Sequence, residues 1–446
     1  MAASSPAKLL HPLHRHGPKK PLREVLEFNV EGLNIGPDTD DGWESPPPVR
    51  VADGTAVRLH KDGETLRRAF DAIASAASRV CFEYYIWDDD ATGKAFAQLL
   101  EDKARAGVRV FVLYDGFGVL GVNDRSMFER LRRVGARVAE FHPVRPWETR
   151  FGWRPYARDH RKLVAVDGRI AVVGGLNVAD AYAGSWIAEN DLKTVQLWRD
   201  TGLSVEGPSA RMFEEAFVAN WRYVHRGGRI ERAAYYGNIA LPTPAKGRRV
   251  GKAADRGPPP PRHVEPESVA VLATAPTFTS PLRPLLHDLL GSARKSVRMT
   301  MAYFAPDDEL VRSLCDAARR GVDVRLMFGA KSDMPIMVTA ARAFYEPMLA
   351  AGVRIYERQH VVLHAKTLSV DGETSIVGSA NLDYRSIELN CEIAAVVRSE
   401  AFAKQVNDLF EHDKRYARKI RIGAWRKRHW RDKFVQWLVS RVRYLL

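Results

Sequence analysis

The sequence predicts an α/β protein made of two similar units that share one site. Apolar runs of strand length alternate with amphipathic helical patterns, first in one half of the chain and then in the other. A five-element pattern of His, Lys, Asp, Gly and Asn also occurs twice, at an offset of 204 residues. Such alternation is typical of mixed sheets covered by helices, so we expect two of them, facing each other around the site.

The elements follow the same order in both units. In the first unit, expected at 51–226, a helix near 66–76 precedes an apolar run at 80–87, a helix near 93–106 and a strand at 108–114. In the second, expected at 268–413, the matching segments are 285–293, 297–304, 309–320 and 322–328. Because the order is repeated, we expect the two units to have the same fold.

Three segments lie outside these units. Residues 1–50 are rich in Pro, Gly and charge and are expected to form a poorly ordered lead-in. Residues 227–267 contain the run AKGRRVGKAADRGPPPPRH and read as a linker or a surface excursion. Residues 414–446 form a basic tail.

Composition limits the class of protein. The chain has 446 residues, 46% of them hydrophobic, which is enough for two cores and unlike a disordered or fibrous protein. Its three cysteines, Cys81, Cys315 and Cys391, are far apart, which disfavours a disulfide scaffold and a cysteine zinc site and favours a reducing compartment. The net charge of +14 indicates an anionic partner, either nucleic acid or lipid.

The repeated pattern carries the chemistry. It comprises His160, Lys162, Asp167, Gly174 and Asn177 in the first unit, and His364, Lys366, Asp371, Gly378 and Asn381 in the second. Residues two apart on a strand point to the same face, so each His and its Lys should project together. A lone strand histidine or lysine is usually structural or solvated, but a twin spacing has no structural explanation. Two such strands face to face would form a pocket for a phosphate diester.

The two histidines can divide the work of phosphoryl transfer. One, neutral, attacks phosphorus, and the other, protonated, supplies a proton to the leaving alkoxide. The lysines, with Asn177 and Asn381, can donate hydrogen bonds to the non-bridging oxygens. The lysines and an imidazolium supply the positive charge, so we expect neither a metal nor another cofactor.

Four acidic residues are candidates for supporting roles. Asp191 and Glu392 open apolar strands beyond the two motifs and could each orient an imidazole, although a surface salt bridge is the alternative for both. Asp167 and Asp371 are counted with the catalytic motif. Both precede a glycine in a turn, however, which favours a structural role.

The pattern HxKxxxxDxxxxxxG(G/S)xN, complete in both copies, resembles the signature of the phospholipase D superfamily. The segments FEYYIWDDDATG, VLYDGFG, YFAPDDEL and GSANLDYRSIELNCEI are similar to those of bacterial cardiolipin synthases. The resemblance covers the chain from about residue 50 onward, apart from the linker. It implies that each unit is one phospholipase D-like repeat and that His160 is the nucleophile and His364 the acid and base. Many members of the family begin with two transmembrane helices, which this sequence lacks.

Other residues near the motifs have different expected roles. Tyr84, Tyr303 and Phe304 are expected in the core. Arg385 and Glu388 could form an ion pair or contact a headgroup. Residues 147–158, WETRFGWRPYAR, mix aromatic and basic side chains and suit a loop at the mouth of an anionic site.

The tail predicts a membrane-surface helix. Residues 414–446 hold twelve Lys or Arg and one acid, a net charge of +11. Trp430, Phe434, Trp437, Leu438, Val442 and Leu445 recur at helical spacing among Arg426, Arg428, Arg431, Lys433 and Arg443. This composition is typical of an interfacial helix on anionic lipid, with nucleic-acid binding as the alternative. Since no apolar run reaches the roughly 20 residues of a spanning helix, we expect a peripheral protein on the cytoplasmic side of the membrane.

The sequence therefore predicts a phosphatidyltransferase that makes cardiolipin from phosphatidylglycerol and a second phospholipid through a phosphohistidine. A phospholipase D-type hydrolase, with water as acceptor, uses the same histidines and stays open. A nucleic-acid phosphodiesterase is the alternative from another substrate class.

Overall fold

The computed structural model describes residues 42–122, 125–144, 156–183, 198–227, 267–276 and 280–445. Within these ranges, two mixed sheets are covered by helices, as the repeated pattern predicts. None of the helices there is both long and apolar enough to cross a membrane.

The first sheet has eight strands among the described residues. In chain order they are β1 (Val49–Arg50), β2 (Ala56–Lys61), β3 (Arg79–Tyr84), β4 (Arg109–Asp115), β5 (Arg137–Phe141), β6 (Lys162–Val166), β7 (Ile170–Gly174) and β9 (Thr201–Glu206). Their spatial order is β1-β2-β9-β7-β6-β3-β4-β5, with β3, β4 and β5 parallel. The central strands are buried on both faces, which explains their uninterrupted apolar sequences, such as KLVAV in β6.

Helices cover this sheet. They are α1 (Glu64–Ala74), α2 (Ala91–Arg105), α3 (Ser126–Arg133), α4 (Asp180–Ala183) and α5 (Ala210–His225). The Asp90 carboxylate caps α2 by accepting a hydrogen bond from the Gly93 amide. The turn after α2 contains Gly107 at a φ of 87°, a conformation that favours glycine and ends the helix.

The second sheet repeats this arrangement with nine described strands. They are β8 (Trp198–Arg199), β10 (Ser268–Ala273), β11 (Ser296–Met301), β13 (Asp323–Lys331), β14 (Arg354–Leu363), β15 (Lys366–Val370), β16 (Thr374–Gly378), β18 (Ile393–Arg398) and β19 (Ala417–Ile420). The spatial order is β10-β18-β16-β15-β11-β13-β14-β19, and β8 pairs with β14. The short strands β12 (Phe304–Ala305) and β17 (Leu382–Asp383) pair with each other.

The helices of this half are α6 (Leu282–Ser292), α7 (Asp308–Arg319), α8 (Pro335–Ala343), α9 (Tyr345–Ala350), α10 (Glu400–Lys414), α11 (Ile422–Arg426) and α12 (Trp430–Arg441). A π-helix spans Arg385–Leu389 and a 3-10 turn spans Arg443–Leu445. Asp307 caps α7 and Gly321 follows it at a φ of 90°, which repeats the design of α2.

The two sheets share a core. One continuous cluster of buried apolar side chains includes Leu163 and Val173 from the first sheet and Val377 and Ile393 from the second. Strands β7 and β9 therefore lie against β16 and β18. The motif lysines at the starts of β6 and β15 are close enough for their charges to interact.

The tail does not begin as a separate element at residue 414. Strand β19 pairs antiparallel with β14, and Trp425 is buried with its ring 5.0 Å from that of Tyr345. The many basic residues of the tail did not indicate these contacts, because a strand at the edge of a sheet can carry charge on its solvent side. The bounds 51–226 and 268–413 stay predictions, and most of the lead-in and of the linker lies outside the described residues.

Candidate active site

His160 lies two residues before the start of β6 and is fixed by the opposite repeat. Its backbone N–H donates to the Cys391 carbonyl at 2.9 Å. Its Nδ1 lies 3.1 Å from both carboxylate oxygens of Glu392, the residue that follows Cys391. The Ser379 hydroxyl also donates to that carboxylate, which is buried. The imidazole is therefore oriented by a carboxylate, and Nε2 is the nitrogen left for chemistry.

His364 has the mirror arrangement. Its backbone N–H donates to the Arg199 carbonyl at 2.8 Å, and its Nδ1 lies 2.7 Å from Oδ2 of Asp200. Asp200 belongs to the first repeat, just as Glu392 belongs to the second. Each histidine is thus held by the backbone and the carboxylate of the other repeat.

Asp200 and Glu392 occupy equivalent positions. In the first sheet the motif glycine Gly174 pairs with Gly202, two residues beyond Asp200. In the second, Gly378 pairs with Ala394, two residues beyond Glu392. Sequence reasoning proposed Glu392 but missed Asp200, and its other candidate, Asp191, lies outside the described residues. The sequence feature that could have identified Asp200 is an acidic residue directly before the strand that pairs with the motif glycine.

Lys162 and Lys366 complete the constellation. Each Nζ donates to the carbonyl of the histidine two residues before it, at 2.8 Å for Lys162. Both side chains are almost fully buried. Burial lowers the pKa of Lys162 to about 7 and that of Lys366 to about 8, so an arriving phosphate anion would compensate a costly desolvation.

The pKa values of both histidines are lowered, but their charged neighbours differ. Burial lowers the pKa of His160 well below its usual range, and Lys162 and Lys366 act in the same direction. Burial and Lys366 also lower the pKa of His364, but the hydrogen-bonded Asp200 opposes them. Burial raises the pKa of Glu392 to about 7 against the opposing charge of Lys162. His160 is therefore held neutral, as a nucleophile must be.

The two motif asparagines position loops. The Asn177 side-chain oxygen accepts from the Ile86 amide at 3.2 Å, and that of Asn381 accepts from the Tyr303 amide at 3.3 Å. The Asn177 side-chain nitrogen donates to the Tyr182 hydroxyl at 3.1 Å. These contacts fix the loops that border the site, and in Asn177 they engage both ends of the amide.

The motif aspartates do not lie at the imidazoles, which corrects their inclusion among the catalytic residues. Asp167 follows the five-residue strand β6, about 16 Å along the chain from Lys162. Its carboxylate accepts hydrogen bonds from the amides of Ala77, Ser78 and Arg79. Asp371 holds the corresponding turn at residues 294–296. Both aspartates stabilise the turn that leads into a central strand.

Aromatic rings line the pocket. Tyr85 lies with its ring centroid 5.2 Å from that of His160, and Trp198 and Tyr182 lie 5.3 and 5.9 Å from that of His364. Tyr84 and Phe304 are core residues as expected, whereas the Tyr303 ring lies 6.1 Å from that of His364. Tyr303 is half-buried, so it packs against the core as expected and also borders the site.

Arg385 and Glu388 do not pair with each other. Glu388 binds Arg283 at 2.6 Å, and Arg385 donates to the Tyr156 carbonyl at 3.0 Å. Arg385 is close enough to His160 for its charge to contribute to the lowered pKa of that imidazole, behind the larger effect of burial. Most of the aromatic and basic loop 147–158 lies outside the described residues. No cluster of metal-ligand side chains occurs in the part of the chain that the structure describes.

Comparison with known proteins agrees with this geometry. The family model described as "Cardiolipin synthase, PLD-like domain" matches residues 70–196 and 286–414. Cardiolipin synthase of Geobacillus kaustophilus (strain HTA426) is 32% identical over 392 residues, covering 87% of this chain and 72% of its own. Cardiolipin synthase A of Pseudomonas entomophila (strain L48) is 34% identical over 375 residues, covering 84% and 71%.

A solved structure shares the fold. Phosphatidylserine synthase of Haemophilus influenzae Rd KW20 aligns with a TM-score of 0.64 at 15% identity, over 90% of this chain and 97% of that one. The two family matches cover more than half of the chain, and each includes one complete histidine and lysine motif. The chain therefore belongs to the cardiolipin synthase family of proteins with phospholipase D-like domains.

Proposed function

We propose that this chain is a phosphatidyltransferase that makes cardiolipin by moving a phosphatidyl group from a phospholipid donor to a hydroxyl of phosphatidylglycerol. The observation that carries the proposal is the pair of buried imidazoles, each bound at Nδ1 by a carboxylate from the opposite repeat and each accompanied by a lysine. This arrangement leaves two Nε2 atoms and two ammonium groups for one phosphodiester.

In the first step, Nε2 of neutral His160 attacks the donor phosphorus. The bond from phosphorus to the headgroup oxygen breaks as the bond from phosphorus to nitrogen forms. His364, protonated at Nε2, gives its proton to the leaving alkoxide. Lys162 and Lys366 stabilise the charge on the non-bridging oxygens in the transition state.

In the second step, the freed headgroup alcohol leaves and an acceptor hydroxyl takes its place. His364 now accepts the proton of that hydroxyl, whose oxygen attacks phosphorus. The bond from phosphorus to His160 breaks, and the product is a new phosphodiester. Both protons pass through the same imidazole, so the cycle ends with the enzyme in its starting state.

Geometry supports this division of roles. The His160 side chain is 14% exposed and that of His364 is 4% exposed, so a bulky lipid phosphate has better access to His160. Asp200 stabilises an imidazolium at His364 through a charge-assisted hydrogen bond of 2.7 Å.

The proposal is tested by giving the purified protein vesicles of phosphatidylglycerol and identifying the products by mass spectrometry. Cardiolipin and free glycerol are expected. Phosphatidic acid as the main product would identify a hydrolase, and cleavage of single-stranded DNA without lipid turnover would identify a nucleic-acid phosphodiesterase.

We further propose that the protein docks on the cytoplasmic face of the membrane through α12. One side of this helix exposes Trp430, Phe434, Trp437 and Leu438 by 64, 55, 52 and 49%. The opposite side packs Val439 against Met337 and Ala340 of α8. Arg431 lies against the exposed ring of Trp430, and Arg441 lies against that of Trp437. Apolar rings beside cations suit the headgroup boundary of an anionic bilayer.

A further inference from the structure

The two histidines are related by the repeat, but each has a charged neighbour that the other lacks. Beside His160 stands Arg385, four residues after the motif asparagine Asn381. The corresponding residue of the first repeat, four after Asn177, is Ala181. Beside His364 stands an acid instead, Asp333. The site is therefore asymmetric, with an additional cation near the nucleophile and an additional anion near the acid and base.

Asp333 lies in the loop between β13 and α8 and is held by two hydroxyl groups. The Tyr303 hydroxyl donates to Oδ2 at 2.6 Å, and the Ser332 hydroxyl donates to Oδ1 at 3.1 Å. The Tyr303 ring borders His364, so it connects the carboxylate to the imidazole. The Asp333 side chain is partly exposed.

A role in capping α8 does not explain this carboxylate. The amide of Met334, the residue before the helix, donates to the Ser332 hydroxyl and not to Asp333. No side chain caps the helix N-terminus. Among the described residues, the hydrogen-bond donors recorded for Asp333 are the two hydroxyls, which leaves part of the acceptor capacity of a carboxylate, about four lone pairs, open to a ligand.

The charge of Asp333 reaches the reacting groups. Burial lowers the pKa of Lys366 and of His364, and the charges of Asp200 and Asp333 oppose that effect in both. An anion here would repel a second phosphate but would favour a ligand rich in hydroxyl donors. An acceptor with a glycerol headgroup offers such donors next to the hydroxyl that must lose its proton to His364.

We propose that Asp333, positioned by Tyr303 and Ser332, accepts hydrogen bonds from the glycerol headgroup of the acceptor and so determines which alcohol receives the phosphatidyl group. The inference rests on the proposed function and adds to it the site of acceptor recognition. Because the leaving alcohol occupies the same place, a glycerol headgroup on the donor would make this contact too, so the test measures the choice of acceptor and not the overall rate.

The test is a competition between soluble acceptors. Detergent-dispersed phosphatidylglycerol serves as donor, with deuterium-labelled glycerol and 1-propanol supplied together at equal concentration. Mass spectrometry gives the ratio of labelled phosphatidylglycerol to phosphatidylpropanol. Because both products come from one enzyme sample, the ratio is independent of the folded fraction. The rate of phosphatidyl-enzyme formation is measured in parallel by rapid quenching.

The native protein should prefer glycerol. Asp333→Asn and Asp333→Ala should lower the ratio on the order of tenfold, which corresponds to losing one or two hydrogen bonds to a charged acceptor. Tyr303→Phe should shift the ratio in the same direction by less, since it keeps the ring and removes the hydroxyl. The exposed Asp408 provides a matched control, and Asp408→Asn should leave the ratio unchanged.

An unchanged ratio in both Asp333 variants, or a loss confined to phosphatidyl-enzyme formation, would overturn the inference while leaving the proposed function intact. If the native protein makes only phosphatidic acid and no alcohol product, the proposed function fails, and the acceptor site fails with it.

Discussion

The imidazole of His160 and the carboxylate of Glu392 are 232 residues apart in the chain, and Nδ1 of the one lies 3.1 Å from both oxygens of the other. The same relationship joins His364 to Asp200 in the opposite direction. Each repeat therefore supplies one imidazole and the carboxylate for its partner imidazole. Neither repeat alone contains a histidine together with its carboxylate, because each carboxylate comes from the opposite repeat.

The division of labour predicts unequal roles for two essential histidines. His160→Ala and His364→Ala should each abolish lipid turnover, because one removes the nucleophile and the other the proton donor. In His364→Asn, a phosphatidyl adduct should accumulate and map to His160 by peptide mass spectrometry. The assignment would be reversed if His364→Asn formed no adduct on His160 and the complementary variant His160→Asn formed an adduct on His364.

The exchanged carboxylates should matter for rate more than for folding. Glu392→Gln and Asp200→Asn are expected to lower kcat by two to four orders of magnitude, since an amide no longer fixes the tautomer or stabilises an imidazolium. Asp191→Asn serves as the comparison. If Asp191→Asn lowered kcat as much or more while Asp200→Asn stayed active, the carboxylate assigned to His364 would be wrong.

Binding of a phosphodiester should weaken as the pH rises. The pKa values of about 7 for Lys162 and about 8 for Lys366 mean that both are cationic at pH 6 and neutral at pH 9. Glycerophosphoglycerol carries one charge throughout this range, so the pH dependence measured by calorimetry comes from the protein, where ionisation of Glu392, with a pKa of about 7, acts in the same direction as loss of the lysine charges. Lys162→Arg, which stays charged, should flatten the lower part of the profile. Constant affinity from pH 6 to 9 would contradict the assignment.

Asp167 should contribute to stability and not to turnover. Asp167→Asn keeps a residue tolerant of its φ of 53° but weakens the hydrogen bonds to three amides, at a cost of about 1–2 kcal/mol in urea denaturation. Burial raises the pKa of Asp167, but the hydrogen bonds outweigh burial and lower the pKa overall. The contribution of Asp167 to stability is therefore present at neutral pH and decreases as the pH falls below about 4. A loss of kcat in the folded variant would argue for a catalytic role.

Membrane docking should depend on the exposed side of α12. Replacing Trp430, Phe434, Trp437 and Leu438 with Ala should release the protein from anionic vesicles in sedimentation while activity on detergent-dispersed lipid remains. Val439→Ala, on the packed side, is the control and should lower stability without release. Truncation before Arg421 is a poorer test because it also removes the buried Trp425. Full sedimentation of the quadruple variant would move the docking surface elsewhere.

The sequence predicted what is encoded by local pattern. The repeat of the motif and the alternation of strand and helix were sufficient for the fold class, the two histidines and the two lysines. Asp200 was missed because its role depends on a register between β7 and β9 and on contact with the other repeat. The strand that it precedes, TGLSVE, is also less apolar than the LKTVQL that follows Asp191. Tyr303 was assigned to the core and Asp333 was not singled out, because the two residues meet across loops that are 30 residues apart in the chain.

The exchange of carboxylates also has a consequence for biosynthesis. While the ribosome is still making the second repeat, His160 lacks Glu392 and His364 does not yet exist, so the nascent first repeat cannot attack the lipid around it. Chemistry becomes available only when the last strands have paired. If the chain is divided between residues 227 and 267 and the halves are expressed together, we expect activity to appear only upon their association, and either half alone to be silent.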